Sequence, residues 1–521
     1  MGDVSHNNTL IENGTITFDI STNSTYTLIS NSFSKPGLAI GTTPLQPSKV
    51  IVTRGTLMSY IKIATKSGTN GELNLTSTGK TEGELFIGER GHGIMTIDGD
   101  ASHVGNTLVG MIAGSEGELT ISGGGASLTG GTTIGSQGTA TVNVIDGGKI
   151  LGVLGRSVAS SSNSNSVLNV TGSGSKVEFR NITIGSYGIG ELNLTDGGSL
   201  AGSSLGVSEF VQFGGTKKGS GTGLISGQNS SLSTGGLLTV GVHGTGNLVV
   251  ENGAMMESQE GNIGLTSTAT GTVNIDDGVW TISDSLNVGG SSMAAGLSGT
   301  LSVQNNGLVD VNGDTRIWPR GVMQLVGASA NTNRLELFGL LTIDGSSVFT
   351  SNTDIMIHPN AKISSIGTIN GNVISASELA IENPGNQAPH NGTTINGNFS
   401  QSFTGTLTLP IFGATQDDVA KLIVNGDIES DGQIIVKFEN GFVPEIGDEY
   451  DIFDSSVAEV NKFKLDIVVT ESGLGVRYKD RAAGIIEITT APILIPTTPN
   501  EFLIIFVLVI LLSMRVAFRG R

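Results

Sequence analysis

One phrase recurs along this chain, and its recurrence restricts the fold more than any other feature. An apolar residue is followed by G-x-x-G-x-G-x-L-x-V-x-x-G-G, as in TIGSYGIGELNLTDGG over residues 183–198. Further copies read FIGERGHGIMTIDGD, MIAGSEGELTISGGG, TIGSQGTATVNVIDGG, TVGVHGTGNLVVENGA, NIGLTSTATGTVNIDDG and, more degenerate, NVGGSSMAAGLSGTLSVQNNG. Their leading glycines are read as Gly88, Gly114, Gly135, Gly185, Gly241, Gly264 and Gly289, with weaker copies at Gly155 and Gly206. Most steps are about 20 to 26 residues, a solenoid period. Two longer steps carry SVASSSNSNS and FVQFGGTKKGSG, polar inserts expected on loops that leave the stack.

Within a copy, Leu192 and Leu194 alternate with Glu191, Asn193 and Thr195, the period of a strand with one buried face. Helical spacing is absent from the region. A single copy cannot cover its own apolar side, so copies must stack. Stacked as coils of a parallel β-helix, they place an inner column of Ile, Leu and Val behind strands about 4.8 Å apart. The glycines then mark corners that need positive φ or close backbone approach. The expected fold is therefore all-β, a parallel β-helix solenoid.

The 78 glycines, the low aromatic content and the 14% of charged residues fit β-rich, turn-rich material with a thin core. A net charge of -19 with scattered basic residues argues against a nucleic-acid partner. The absence of cysteine excludes a disulfide framework, a thiolate metal site and a cysteine nucleophile.

The divisions expected are an N-terminal cap with early coils over 1–80, glycine-rich repeats over 81–330 and degenerate trailing coils over 331–404. An antiparallel cap over 405–480 follows, because KLIVNGDIESDGQIIVKFENGF looks like hairpins joined by Asn-Gly and Asp-Gly turns. A proline-bearing linker spans 481–499, and 500–521 form a hydrophobic tail. No basic and apolar signal-peptide pattern is visible at the start, MGDVSHNNTLIENGTITFDI. The tail holds an apolar run from Phe502 to Leu512, then Arg515, Arg519 and Arg521. At about 1.5 Å per residue that run spans only about 16 Å, short for a bilayer crossing and suited to a sorting signal or tail anchor.

On these motifs the chain resembles bacterial surface proteins with repeats associated with type V secretion and PEP-CTERM sorting, over about Gly83 to Asn312. The segment from Asn383 through Asp454 is similar to the passenger end that follows such repeats. The tail resembles the IPTL variant of PEP-CTERM-like sorting signals through Ile495, Pro496 and Thr497, although Thr498 stands where that variant has Leu. The resemblance implies a right-handed β-helix, export to the cell surface or medium, and a role in adhesion, biofilm matrix or envelope structure. It implies no cofactor. The partners expected are a polysaccharide or cell-surface molecule, further copies of the chain, and the membrane through the tail.

The competing reading is a carbohydrate-active β-helix, a polysaccharide lyase or glycoside hydrolase. Fragments of a polygalacturonase signature occur at Asn352–Asp354, Asp276 and Asp277, Gly91–Gly93 and Arg316–Trp318, but out of order. His92 and Asp354 are expected about twelve coils apart, too far for two groups acting on one glycosidic bond. Asp427 to Gly432 imitates the start of a calcium loop, yet Phe438 stands where a glutamate is required. His6, His92, His103, His243, His358 and His390 show no metal-binding spacing. The expectation is a non-enzymatic protein with no catalytic, cofactor or metal residues.

Overall fold

The computed structural model describes residues 4–7, 9–11, 14–19, 25–29, 37–44, 47–152, 156–202, 209–382, 392–439, 441–455, 466–469, 474–480 and 484–490. Through the repeat region most coils contain one long strand and two short ones, whereas at Leu340–Ile343 and Lys362–Ser365 the first strand shortens and Val348–Ile357 and Thr368–Ser375 are the longer ones. In the coil that carries the motif quoted first, the three strands are Ile189–Thr195, Ser199–Gly202 and Phe210–Phe213. Among the described residues nineteen strands of this face, from Gly14–Asp19 to Asp466–Val469, pair in parallel in a single line. At about 4.8 Å per strand this ladder extends for roughly 85–90 Å.

The alternation seen in sequence becomes an inner and an outer surface. Ile189–Thr195 is exposed and buried by turns, with Leu192 and Leu194 fully inside. The register stacks Val170, Leu194 and Ile225 in one column, and Leu168, Leu192 and Gly223 in the next. Each Leu or Ile so buried contributes about 1.5–3 kcal/mol. On the outer surface the half-buried asparagines form a ladder, with Asn193 Nδ2 donating to Asn169 Oδ1 at 3.0 Å and Asn169 Nδ2 to Asn143 Oδ1 at 2.9 Å. Adjacent coils are thus joined on both sides of the sheet.

The corner glycines obey both physical reasons expected of them. Gly185 follows Asn181–Ile184 with φ +67, and a Cβ there would lie 1.9 Å from Ser220 O in the next coil. Gly88, Gly135, Gly241, Gly264 and Gly289 occupy the same place after their strands. Gly114 does not. The strand Thr107–Val109 ends one residue before Gly110, where a Cβ would lie 2.4 Å from Thr139 O. Gly114 sits later in the turn with open space around it. The sequence frame slipped there because Met111 and Ile112 imitate the end of the apolar strand. The weaker leading glycines, Gly155 and Gly206, lie outside the described residues, and Ala159 (φ 59) and Gly214 (φ 69) hold those corners.

The C-terminal region departs from the hairpins expected over 405–480. Thr406–Ile411 and Gln433–Phe438 pair in parallel, as do Phe399–Gln401 and Ile428–Ser430. The coils therefore run on through the Asp-Gly and Asn-Gly turns, which are corners between faces rather than hairpin ends. Alternation is common to both arrangements, and the partner strand a full coil away decides between them. Among the described residues, antiparallel strand pairing joins Glu449–Asp451, Leu474–Asp480 and Ile485–Thr490, beside two isolated antiparallel bridges, Gly290 with Ala295 and Ile411 with Val419. The last of the three strands falls within the expected linker. At the other end, Val4–Asn7 already pairs in parallel with Thr25–Ile29, as a coil does. Among the described residues no helix is long and apolar enough to cross a membrane.

One inner position carries a titratable group. His103 is fully buried between Thr81 and Leu128 in the register, with Nδ1 2.9 Å from Thr81 Oγ1. Burial lowers its pKa to about 4, against a smaller opposing effect of the Thr81 hydrogen bond. The unfolded chain, titrating near 6.5, therefore takes up a proton before the folded one. Stability is complete above about pH 6.5 and falls by about 3 kcal/mol as the pH drops through about 4. His103→Leu continues the apolar column and removes this loss. In urea titrations the variant is expected to gain about 2–3 kcal/mol over the parent between pH 7.5 and 4.5. An unchanged difference would refute the assignment.

Candidate functional site

Between Asp314 and Ile357 the coil shortens, and the strands Asp314–Ile317, Arg334–Leu337 and Val348–Ile357 stack with Arg316, Glu336 and Met356 in register. The residues that follow these strand positions are Trp318, Phe338 and His358, twenty apart in sequence. The constant step superimposes their rings at the corner of the solenoid. Trp318 and Phe338 stack at 5.7 Å and 17°, Phe338 and His358 at 4.0 Å and 4°. All three are half-buried.

A charged network flanks the rings. The Arg316 guanidinium lies 5.3 Å from the Trp318 ring centroid and bonds Glu336 through Nε at 2.8 Å. Arg334 approaches Glu336 at 3.5 Å. Burial lowers the pKa of His358, and Arg334 and Arg316 push the same way, against a rise from Glu336. The imidazole is therefore held neutral near neutral pH.

The same corner fixes a loop that interrupts the repeat. Trp318 Nε1 donates to Ser291 O at 2.9 Å and Arg316 Nη1 to Ser292 O at 2.8 Å. A bridge between Gly290 and Ala295 closes this loop, and Met293 stands at its tip, 91% exposed. The result is an exposed apolar tip whose base is held by the bridge and these two hydrogen bonds. Sequence reasoning missed this corner, although the twenty-residue spacing of Trp318, Phe338 and His358 was available as a signal.

A second feature is a polar groove of about 450 Å³ where three coils turn between their short strands. Ser233, Thr234, Glu257, Ser258, Gln259, Thr281 and Ser283 line it. Ser233 Oγ donates to Glu257 Oε2 at 3.1 Å, and the neighbouring Gly235 N donates to Glu209 Oε2 at 3.2 Å. Its hydroxyl and carboxylate groups suit hydrogen bonding to a hydroxylated ligand.

The residues read as signature fragments are not brought together. His92 opens the fourth long strand and Asp354 belongs to the fourteenth coil, a separation of ten coils rather than twelve. That is about 48 Å at about 4.8 Å per coil. Asp276 and Asp277 lie in the eleventh coil and Arg316–Trp318 in the twelfth. Among the described residues no cluster of three or more His, Asp or Glu side chains is arranged to hold a metal ion. The sorting-signal candidates Ile495, Pro496, Thr497, Arg515, Arg519 and Arg521 lie outside the described residues.

No family model matches the chain, and no curated protein does. Among solved structures, the crystal structure of the Haemophilus influenzae Hap adhesin is similar over 86% of this chain, at 12% identity and a TM-score of 0.24. The similarity covers 64% of the adhesin chain.

Proposed function

We propose that this chain is a non-enzymatic, elongated β-helix displayed at the bacterial surface or secreted, with a role in adhesion, biofilm matrix or envelope structure. The observation that carries the reading is the single line of nineteen paired strands, among the described residues, over one apolar column. Such a column resists bending because each coil is bonded to its neighbours on every face. The tail from Phe502 to Leu512 is the membrane attachment or sorting segment. Contacts to polysaccharide, another cell or further copies fall to the lateral surface, with the clamped Met293 loop its most exposed apolar point.

Two measurements test this. Negative-stain electron microscopy of the full chain should show rods about 90 Å long and several times longer than wide, at about 4.8 Å per coil. Compact particles would end the rod reading. Incubation with acidic and neutral polysaccharides should release neither new reducing ends nor unsaturated products. Product release would move the reading to a carbohydrate-active β-helix, for which the groove beside Glu257 is the favouring observation.

A further inference from the structure

We propose that the loop Gly441–Gly447, at the C-terminal end of the rod, is a contact with the lipid bilayer. The proposal rests on the membrane-seeking reading of the tail and adds a second point of attachment. Two exposed apolar side chains stand close together on this loop, Val443 at 76% and Ile446 at 64%. The buried Pro444 and the exposed Glu445 lie between them. Phe442 packs against the core, its ring 6.1 Å from Phe438, and Phe438 in turn lies 6.4 Å from Tyr450. This aromatic base holds the tips outward instead of letting them fold onto the core.

The position of the loop identifies what covers it. Glu449 pairs with Glu487 and Asp451 with Ile485, so the final strand runs toward lower numbers along its neighbour. Gly447 N then donates to Ile488 O, and Ile488 N to Asp448 O, both at 2.9 Å. The final strand ends at Thr490, two residues beyond the bonds that join Ile488 to Gly447 and Asp448. Twelve residue steps separate Thr490 from Phe502, a reach of at most about 40 Å. Once the tail enters a bilayer, this end of the rod is confined to its surface, and the loop meets the interface at high effective concentration. Glu439, Glu445 and Asp448 surround the tips, so electrically neutral lipid fits the loop better than anionic lipid.

The chain contains no cysteine, so single cysteines at Val443, Ile446 and Met293 accept an environment-sensitive fluorophore in the full-length protein. The protein is mixed with phosphatidylcholine vesicles, floated, and compared on vesicles of brominated phosphatidylcholine, which quenches only from within the bilayer. The expected result is flotation, with blue-shifted and bromine-quenched emission at 443 and 446 and unshifted emission at 293. Val443→Asp with Ile446→Asp should weaken vesicle binding about tenfold while the tail still attaches the chain. Flotation with unshifted emission at 443 and 446 overturns the loop proposal alone. Blue-shifted but unquenched emission also overturns it, since the tail or a second copy then covers the loop. Failure to float removes the tail reading and this inference together.

Discussion

Leu194→Asp is expected to break the solenoid at its eighth coil, with a stability loss of about 4 kcal/mol or more. Leu194 is fully buried, with Val170 below and Ile225 above it in the register. A carboxylate there has apolar neighbours on both sides along the column. It must lose its hydration or take up a proton, and both are costly. Each coil is stabilised by its neighbours, so the defect should spread to the coils on either side before the rest of the rod yields. Limited proteolysis should therefore produce new cuts between about residues 165 and 226, visible as two large fragments. Thr195→Asp, one position on and half-buried on the outer surface, is the control. It should cost no more than about 1.5 kcal/mol, the loss of the 3.0 Å hydroxyl contact with Thr171. Equal behaviour of the two variants would contradict the assigned faces.

Trp280→Ala is the second large effect, expected to cost about 3–5 kcal/mol. The indole is fully buried between Met256 and Val309 in the register, and its Nε1 donates to Ser258 Oγ at 3.1 Å. It also occupies the space left by a missing side chain, since a Cβ on Gly261 would come within 2.6 Å of the ring. The two positions form a large–small pair across coils. Gly261→Ala alone should destabilise by collision with the indole, whereas in the Trp280→Ala background the added methyl enters a cavity. Denaturant titrations of the four proteins should show a coupling of about 1 kcal/mol or more, the double variant being more stable than the two single losses predict. Strict additivity would show that the ring and the glycine do not share that space.

The fold was legible in sequence to the extent that it depends on local pattern. Period-two alternation around Leu192 and Leu194 requires a strand with one buried face, and recurrence of the phrase requires stacking. The candidate surface was less legible. The rings at 318, 338 and 358 belong to a stretch where the glycine phrase has faded, so their common step was hidden by the loss of the marker used to find the others. The loop at Val443 reads in sequence as a turn between strands. Its place beside the final strand depends on pairing with Ile485–Thr490, which the turn residues do not reveal.

By itself the sequence determined a stack of glycine-cornered strands with an Ile, Leu and Val interior, because alternation and corner chemistry act within a few residues. Tertiary structure alone decided which glycine turns each corner, as Gly110 rather than Gly114 shows, since the clash that demands glycine comes from the coil above. It also decided that Phe213 occupies the space beside Gly223, and that residues 406–438 continue the helix rather than fold back. Each of these depends on a partner one coil away, and the contacts that choose it exist only once the coils have stacked.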